Sequence, residues 1–269
     1  MSLNYKTRFE TVTLPLFTSE GPSLYDVIQG DIGTCWFLSA LTSYLRPGKS
    51  LELRKEDIRS LFEPTKILDR ECVVVKINGQ RIIVDFTVHW GRLGVRRRPL
   101  VCSWPILIEK SMLSIKTVND MPRTKVSLSE GWLCTNIIPK CGEMKIAAEG
   151  LSLFVGPKSE WRPLSGEKAS RIEEIYRVFI GGSHVLCNTG GRDPEHLASV
   201  NAIARHCYSI IDISFDGVYK LTVHNPWGCR PILSKSIPPH ENSSKGTSTL
   251  TWREFFDIFS YIHVSMISL

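Results

Sequence analysis

In the stretch QGDIGTCWF, residues 29–37, a cysteine follows a Gly-Thr step, and a glutamine stands six positions before it. Phe37, Ala40, Leu41, Tyr44 and Leu45 then recur at the spacing of an amphipathic helix, which Pro47-Gly48 stops. Cys35 is thereby placed in the first turn. A thiol there meets the positive end of the helix macrodipole and unpaired backbone N–H groups. Both lower its pKa, and an imidazolium nearby lowers it further, to about 3.5–7.5 in known settings. The same helix end offers the Cys35 N–H to a developing oxyanion. Gln29, returned by the turn around Gly30 and Gly33, is a candidate second donor. The plain alternative makes Cys35 a small buried apolar residue and Gln29 a loop residue. That alternative suits the other seven cysteines better, because only at Cys35 do helix start, glutamine and glycines coincide.

A base for such a thiol is found far down the chain. In ARHCYSIIDISF-DG-VYKLTVHNPW, two strand-like runs flank Asp216-Gly217. A two-residue hairpin loop there pairs Phe215 with Val218 and, counted outward, His206 with Trp227. Asn225 then lies on the same sheet face as Trp227, diagonal to His206, where such neighbours are about 7–8 Å apart. An amide oxygen beside an imidazole accepts its N–H and aims the other ring nitrogen at a partner. A tryptophan over the pair keeps water out and strengthens the bond. Taken alone, the same three residues also read as a polar cross-strand pair beside a packed tryptophan. The other histidines, at 89, 184, 196, 224, 240 and 263, read as structural or exposed.

Elsewhere, CVVVKI-NG-QRIIVDF (72–86) carries a strong hairpin signal at Asn78-Gly79, and 103–116 and 172–180 read as helices. SEWRPLSG (159–166) reads as a linker, and the chain after the second of those helices, including STLTWREFFDIFSYIHVSMI, as strand-like. Helices are thus expected early and strands late, in an α+β chain of two lobes, 1–158 and 159–269.

Composition narrows the function. The 269 residues suffice for a sizeable core, and no apolar run is long enough to span a membrane. The polar N-terminus is no secretory signal. Eight cysteines without a CxxC pair and without zinc-finger histidines argue against structural zinc, and for free thiols in a reducing compartment such as the cytoplasm. The net charge of +6 favours anionic partners without defining a nucleic-acid binder. The densest basic run, RLGVRRRP (92–99), reads first as a solvated loop and second as an anionic-partner patch.

QGDIGTCWFLSAL, RHCYSI and HNPWG, in that order, resemble the protease core of the calpains, within the papain-like cysteine peptidases. LIEKSM, GGSHVLCN and LTWREFFDIFSYIHV are similar as well, so the likeness runs from about Ser19 to the C-terminus. The resemblance implies a papain-like fold with a helical lobe carrying Cys35, an antiparallel β lobe carrying His206 and Asn225, and a substrate cleft between them. It implies Cys35 as nucleophile, His206 as base and acid, Asn225 as orienter, Gln29 as oxyanion donor and Trp227 as shield, in an endopeptidase acting on protein substrates. The chain departs from the family in Gly-Thr-Cys, where calpains have Gly-Asp-Cys, and in Cys207, where they have alanine. Calpain cores bind calcium in each lobe. Asp26 and the Gly21 carbonyl align with ligands of the first site, with Asp120 as a candidate third. In NPWGCRPIL, Cys, Arg and Pro stand where the second site's acidic ligands should be, so no calcium is expected there. No cofactor is required by this reading, and oligomeric state is left open. Two alternatives stand beside it: a catalytically silent scaffold that keeps the protease shape, and a thiol acyltransferase or deamidase using the same triad.

Overall fold

A computed structural model describes residues 9–30, 33–67, 70–77, 79–89, 100–114, 144–155 and 159–265. The chain is mixed α and β with antiparallel sheets. It opens with β1 (Phe9–Thr11) and a short 3-10 turn, Leu24–Asp26, before α1 (Cys35–Tyr44) and α2 (Leu51–Ser60). Then come β2 (Phe62–Ile67), β3 (Arg70–Ile77), β4 (Gln80–Asp85), β5 (Thr87–His89), α3 (Trp104–Ser114) and α4 (Met144–Val155). The later part holds β6 (Ser159–Pro163), α5 (Lys168–Ile180), β7 (Val185–Asn188), α6 (Pro194–Ser199), β8 (Cys207–Phe215), β9 (Tyr219–His224), β10 (Thr247–Thr251), α7 (Trp252–Ile258) and β11 (Tyr261–Ser265).

Among the described residues, the strands form three sheets. β1 pairs with β5, β2-β3-β4 form a meander, and β10-β9-β8-β7-β11-β6 form a six-stranded sheet. The β3–β4 hairpin pairs Ile77 with Gln80, so its loop is the two-residue step predicted at 78–79, with Gly79 at φ 69°. The buried apolar residues gather in two clusters. One is built around α1, α3, the meander and Leu151 of α4. The other lies among α5, α7 and the six-stranded sheet.

Several sequence expectations are corrected. Among the described residues the early part holds, besides its four α-helices and the expected hairpin, three strands that were not expected, β1, β2 and β5. Residues 159–163 form a strand that pairs with β11 at the edge of the six-stranded sheet among the described residues, not a linker. That pairing spans a hundred residues and leaves no local signature. The late strand-like run contains α7, started by a capping box between Thr251 and Glu254. In α5, Ile172, Ile175 and Phe179 are buried as expected, whereas Ile180, at the end, is 61% exposed. The run 92–99 lies outside the described residues.

Helix α1 is buried along Cys35–Ser43, not on one stripe alone. Its apolar face joins the first cluster, while its hydroxyls face the six-stranded sheet. Ser39 Oγ donates to the Cys207 carbonyl at 2.8 Å, and Thr42 Oγ1 meets Ser209 Oγ at 2.7 Å. At the far end, His184 Nδ1 donates to the Ser43 carbonyl and Arg46 donates to the Phe179 and Ser183 carbonyls. These paired groups are tolerated in the interior because they satisfy one another, while Arg46 Nε and Ser43 Oγ stay without a hydrogen-bond partner. α1 is thus the rod on which the later sheet is mounted.

Candidate active site

Cys35 is the first residue of α1 and is 2% exposed. One turn further on, Ser39 lies on the same helix face and holds the carbonyl of Cys207. The N-terminal tip of α1 is therefore set against the start of β8, where His206 stands. Burial raises the pKa of both Tyr208 and Tyr261, helped by Cys187 at the first and Cys207 at the second, and in each case least by the Cys35 sulfur. Tyr208 in turn packs its ring edge-on to His206, with centroids 4.9 Å apart.

His206 is buried, and its backbone is clamped by β7's continuation. Its N–H donates to Thr189 Oγ1 at 3.0 Å, and its carbonyl accepts the Thr189 N–H at 3.1 Å. Its Nε2 lies 2.9 Å from Asn225 Oδ1. The direction of that bond follows from the amide's other partners. Asn225 Nδ2 donates to the carbonyls of Cys229 and Arg230, and Oδ1 also accepts the Trp227 N–H at 3.0 Å. Oδ1 is therefore the acceptor and Nε2 carries the proton, which makes Nδ1 the nitrogen that would exchange one with a reacting group.

The hairpin that brings these residues together differs from its expected form in two places that cancel. The loop has three residues, so Phe215 faces Tyr219 instead of Val218. A bulge between Ile210 and Asp212 then removes the slip, so that Ile210 faces Val223 and Ser209 faces His224. Both pairs are in the predicted register, and the open end of the hairpin puts His206 near Asn225 and Trp227 as expected. The Trp227 ring is half-buried with its centroid 5.1 Å from that of His206. The Asn225 N–H donates to the Gly246 carbonyl, and Gly246, at φ 84°, has no room for a Cβ against Cys229 and the Asn225 carbonyl.

Gln29 is buried, and its backbone N–H donates to the Pro226 carbonyl at 2.8 Å. The segment leading into α1 is thereby joined to the turn that carries Asn225 and Trp227. Nearby, the Tyr25 ring meets His224 and lies under the Lys245 ammonium.

The calcium expectation meets a different environment. Asp26 Oδ2 accepts the Ser23 N–H and the Trp104 indole N–H. The Gly21 carbonyl accepts the Thr18 hydroxyl, and the Arg59 guanidinium fills the space a side chain on Gly21 would take. Calcium needs six or more oxygens turned inward, and a guanidinium at that point repels it, so Asp26 and Gly21 with these partners do not fit a calcium cradle. Asp120 lies outside the described residues. Among the described residues no group of three or more His, Cys, Asp or Glu could hold a metal ion.

Sequence reasoning missed several neighbours of the site: Thr189, Tyr208, Tyr261 and Glu109. The Glu109 carboxyl of α3 accepts the Thr34 hydroxyl, one residue before Cys35. Tyr208 is two positions from His206, and that i, i+2 spacing could have placed it on the same face. Nothing local marks the other three, because they arrive from β7, β11 and α3.

No protein-family model matches the chain. Over 178 residues, 62% of the chain, it is 24% identical to the calpain-like protease palB/cpr-8 of Neurospora crassa, the match covering 17% of that protein. Over 244 residues, 84% of the chain, it is 22% identical to the calpain-1 catalytic subunit of Rattus norvegicus, covering 30% of it. The chain thus spans less than a third of the length of either curated relative. Both relatives are calpains or calpain-like, and the chain stands in a distant calpain-like relationship to them. No helix among the described residues is long and apolar enough to cross a membrane.

Proposed function

We propose that this chain is the protease core of a calpain-like cysteine endopeptidase, with a papain-like division into lobes 1–158 and 159–269 and the cleft between them. The observation that carries the reading is the His206 Nε2–Asn225 Oδ1 bond of 2.9 Å, at the start of the strand on which the Cys35 helix tip is mounted. Both distant relatives support the same class.

Cys35 works as a thiolate beside the His206 imidazolium. The sulfur attacks the carbonyl carbon of an exposed peptide bond, and the carbonyl electrons move to oxygen. The Cys35 N–H and the Gln29 amide stabilise that oxyanion. As the tetrahedral species collapses, the C–N bond breaks and Nδ1 of His206 gives its proton to the leaving amine. A water then loses a proton to Nδ1 and attacks the thioester, releasing the acid and the thiolate. Asn225 holds the imidazole in the Nε2–H orientation throughout, and Trp227 shields their bond from water. No step uses a metal. The six cysteines among the described residues are thiols, and this supports a reducing compartment such as the cytoplasm.

The test is exposure to an epoxide-type thiol inactivator, with mass spectrometry of the tryptic peptides, alongside digestion of an unfolded protein substrate. The reading requires adduct on Cys35 and clipped substrate, both lost in Cys35→Ala. An unmodified Cys35 with intact substrate leaves a binding scaffold. An unclipped substrate that gains about one dalton at glutamine points to deamidation through the same acyl-enzyme chemistry.

A further inference from the structure

The Gly-Thr-Cys step places a threonine immediately before the nucleophile, and its hydroxyl has an unusual destination. Thr34 is the N-cap of α1, and its carbonyl accepts the N–H groups of Phe37 and Leu38, both at 3.0 Å. An N-cap threonine ordinarily turns its hydroxyl onto the first-turn N–H groups. Here it makes no capping bond and donates instead to the Glu109 carboxyl of α3. Thr34 is fully buried, and Glu109 is 1% exposed. A carboxyl so deeply buried is costly, and a leucine there would be cheaper. Burial pushes its pKa up to about 8, the Thr34 hydroxyl drawing it partly back, so near neutral pH it is largely uncharged. An uncharged acceptor does not oppose a thiolate one residue away.

The Thr34–Cys35 peptide carries the N–H that the proposed mechanism aims at the oxyanion. That peptide is tied on one side by the helix and on the other, through the threonine side chain, by α3. We infer that Glu109 is a positioning residue for Cys35, acting through the Thr34 hydroxyl. This inference rests on the thiol-protease reading for its catalytic consequence. The placement of the thiol itself can be read without any substrate.

The test is a double-mutant cycle on Thr34→Val and Glu109→Leu, with Thr34→Ser and Glu109→Gln as conservative partners. Each variant is measured for kcat and KM on a peptide substrate and for the rate of Cys35 alkylation by iodoacetamide. Thermal melting confirms folding. Thr34→Val and Glu109→Leu are each expected to lower kcat about 10- to 100-fold with KM little changed, since ~1 Å of misplacement can cost 10²-fold. The double variant is expected to be no worse than either single one. Thr34→Ser and Glu109→Gln keep donor and acceptor and restore the rate. Losses that multiply in the double variant, or a fully active folded Thr34→Val, overturn the inference. If the wild-type chain alkylates at Cys35 yet cleaves nothing, the protease reading fails, while the pattern of alkylation rates across the cycle still decides the role of Glu109.

Discussion

Asn225 meets His206 through a single oxygen, 2.9 Å from Nε2, while its amide nitrogen is committed to the carbonyls of Cys229 and Arg230. The amide therefore cannot flip without losing two donors, and the imidazole tautomer follows from backbone geometry several residues away. Asn225→Ala removes the acceptor and leaves the packing of the ring against Tyr208 and Trp227 in place. The expected result is a kcat about 10- to 100-fold lower with KM within a few-fold, because binding does not use this bond and alignment does. Steady-state kinetics on a peptide substrate checks this. An unchanged kcat would mean that the ring needs no orienter.

The seam between α1 and β8 carries the second expectation. Thr42 Oγ1 and Ser209 Oγ pair at 2.7 Å in a fully buried position. Thr42→Val keeps the shape and leaves Ser209 with its long 3.4 Å contact to the His224 carbonyl. Leaving a buried hydroxyl poorly satisfied costs about 1–3 kcal/mol. Pairing the change with Ser209→Ala removes both polar atoms and is expected to recover most of that loss. Urea denaturation of the two single variants and the double one measures the cycle. A double variant as unstable as the sum of the singles would show that the hydroxyls act independently.

The site was legible where its signals were local, and the fold where its periodicity was clean. Cys35 at a helix start, the β3–β4 hairpin and α5 all follow from spacing and turn residues. The meeting of His206 with Asn225 was legible because a hairpin converts sequence distance into register. It was found despite a miscounted loop, since the bulge at the middle of β8 cancels the slip. Helix α2 was missed because LELRKEDIRS has no apolar stripe. Only Ile58 is buried, and i, i+3 ion pairs such as Lys55–Glu52 support its surface. β6 is fixed by a partner strand a hundred residues away, and α7 hides its T-x-x-E capping box in phenylalanines and isoleucines that favour a strand reading. Glu109 was beyond reach for the same reason as β6: its importance lies in a contact seventy-five positions distant.

Calcium is the third point. The two halves of the chain are joined directly, through Ser39 to Cys207, Thr42 to Ser209 and Gln29 to Pro226, while Asp26 and Gly21 are engaged with protein donors. Under the proposed mechanism, alignment of Cys35 with His206 is then expected to need no ion. The inactivator should label Cys35 at nearly the same rate in chelator and in about 1 mM calcium, a level at which even weak calcium sites fill. A labelling rate that rises steeply with calcium would mean that these contacts form only after an ion has bound.

The fourth expectation concerns acid. His184 is buried beside Arg46, with Nδ1 donating to the Ser43 carbonyl, and burial first, then the guanidinium, pushes its pKa down to about 4. His263, in the middle of β11, is fully buried with neither ring nitrogen hydrogen-bonded, and burial alone pushes it down to about 4. An unfolded histidine titrates near 6.5. Between pH 6.5 and 4 the unfolded chain takes up protons at both positions and the folded chain does not. Stability is therefore whole above pH 6.5 and falls as the pH drops towards 4, by up to about 1.4 kcal/mol per pH unit for each histidine. His263→Phe keeps a buried ring and removes one of the two protons, so its stability should fall less steeply over this window. Urea unfolding of both proteins at pH 7, 6 and 5 compares the slopes. Parallel curves would mean that His263 is protonated, or reached by water, in the folded state, and that the packing of β11 against its neighbours does not exclude the charge.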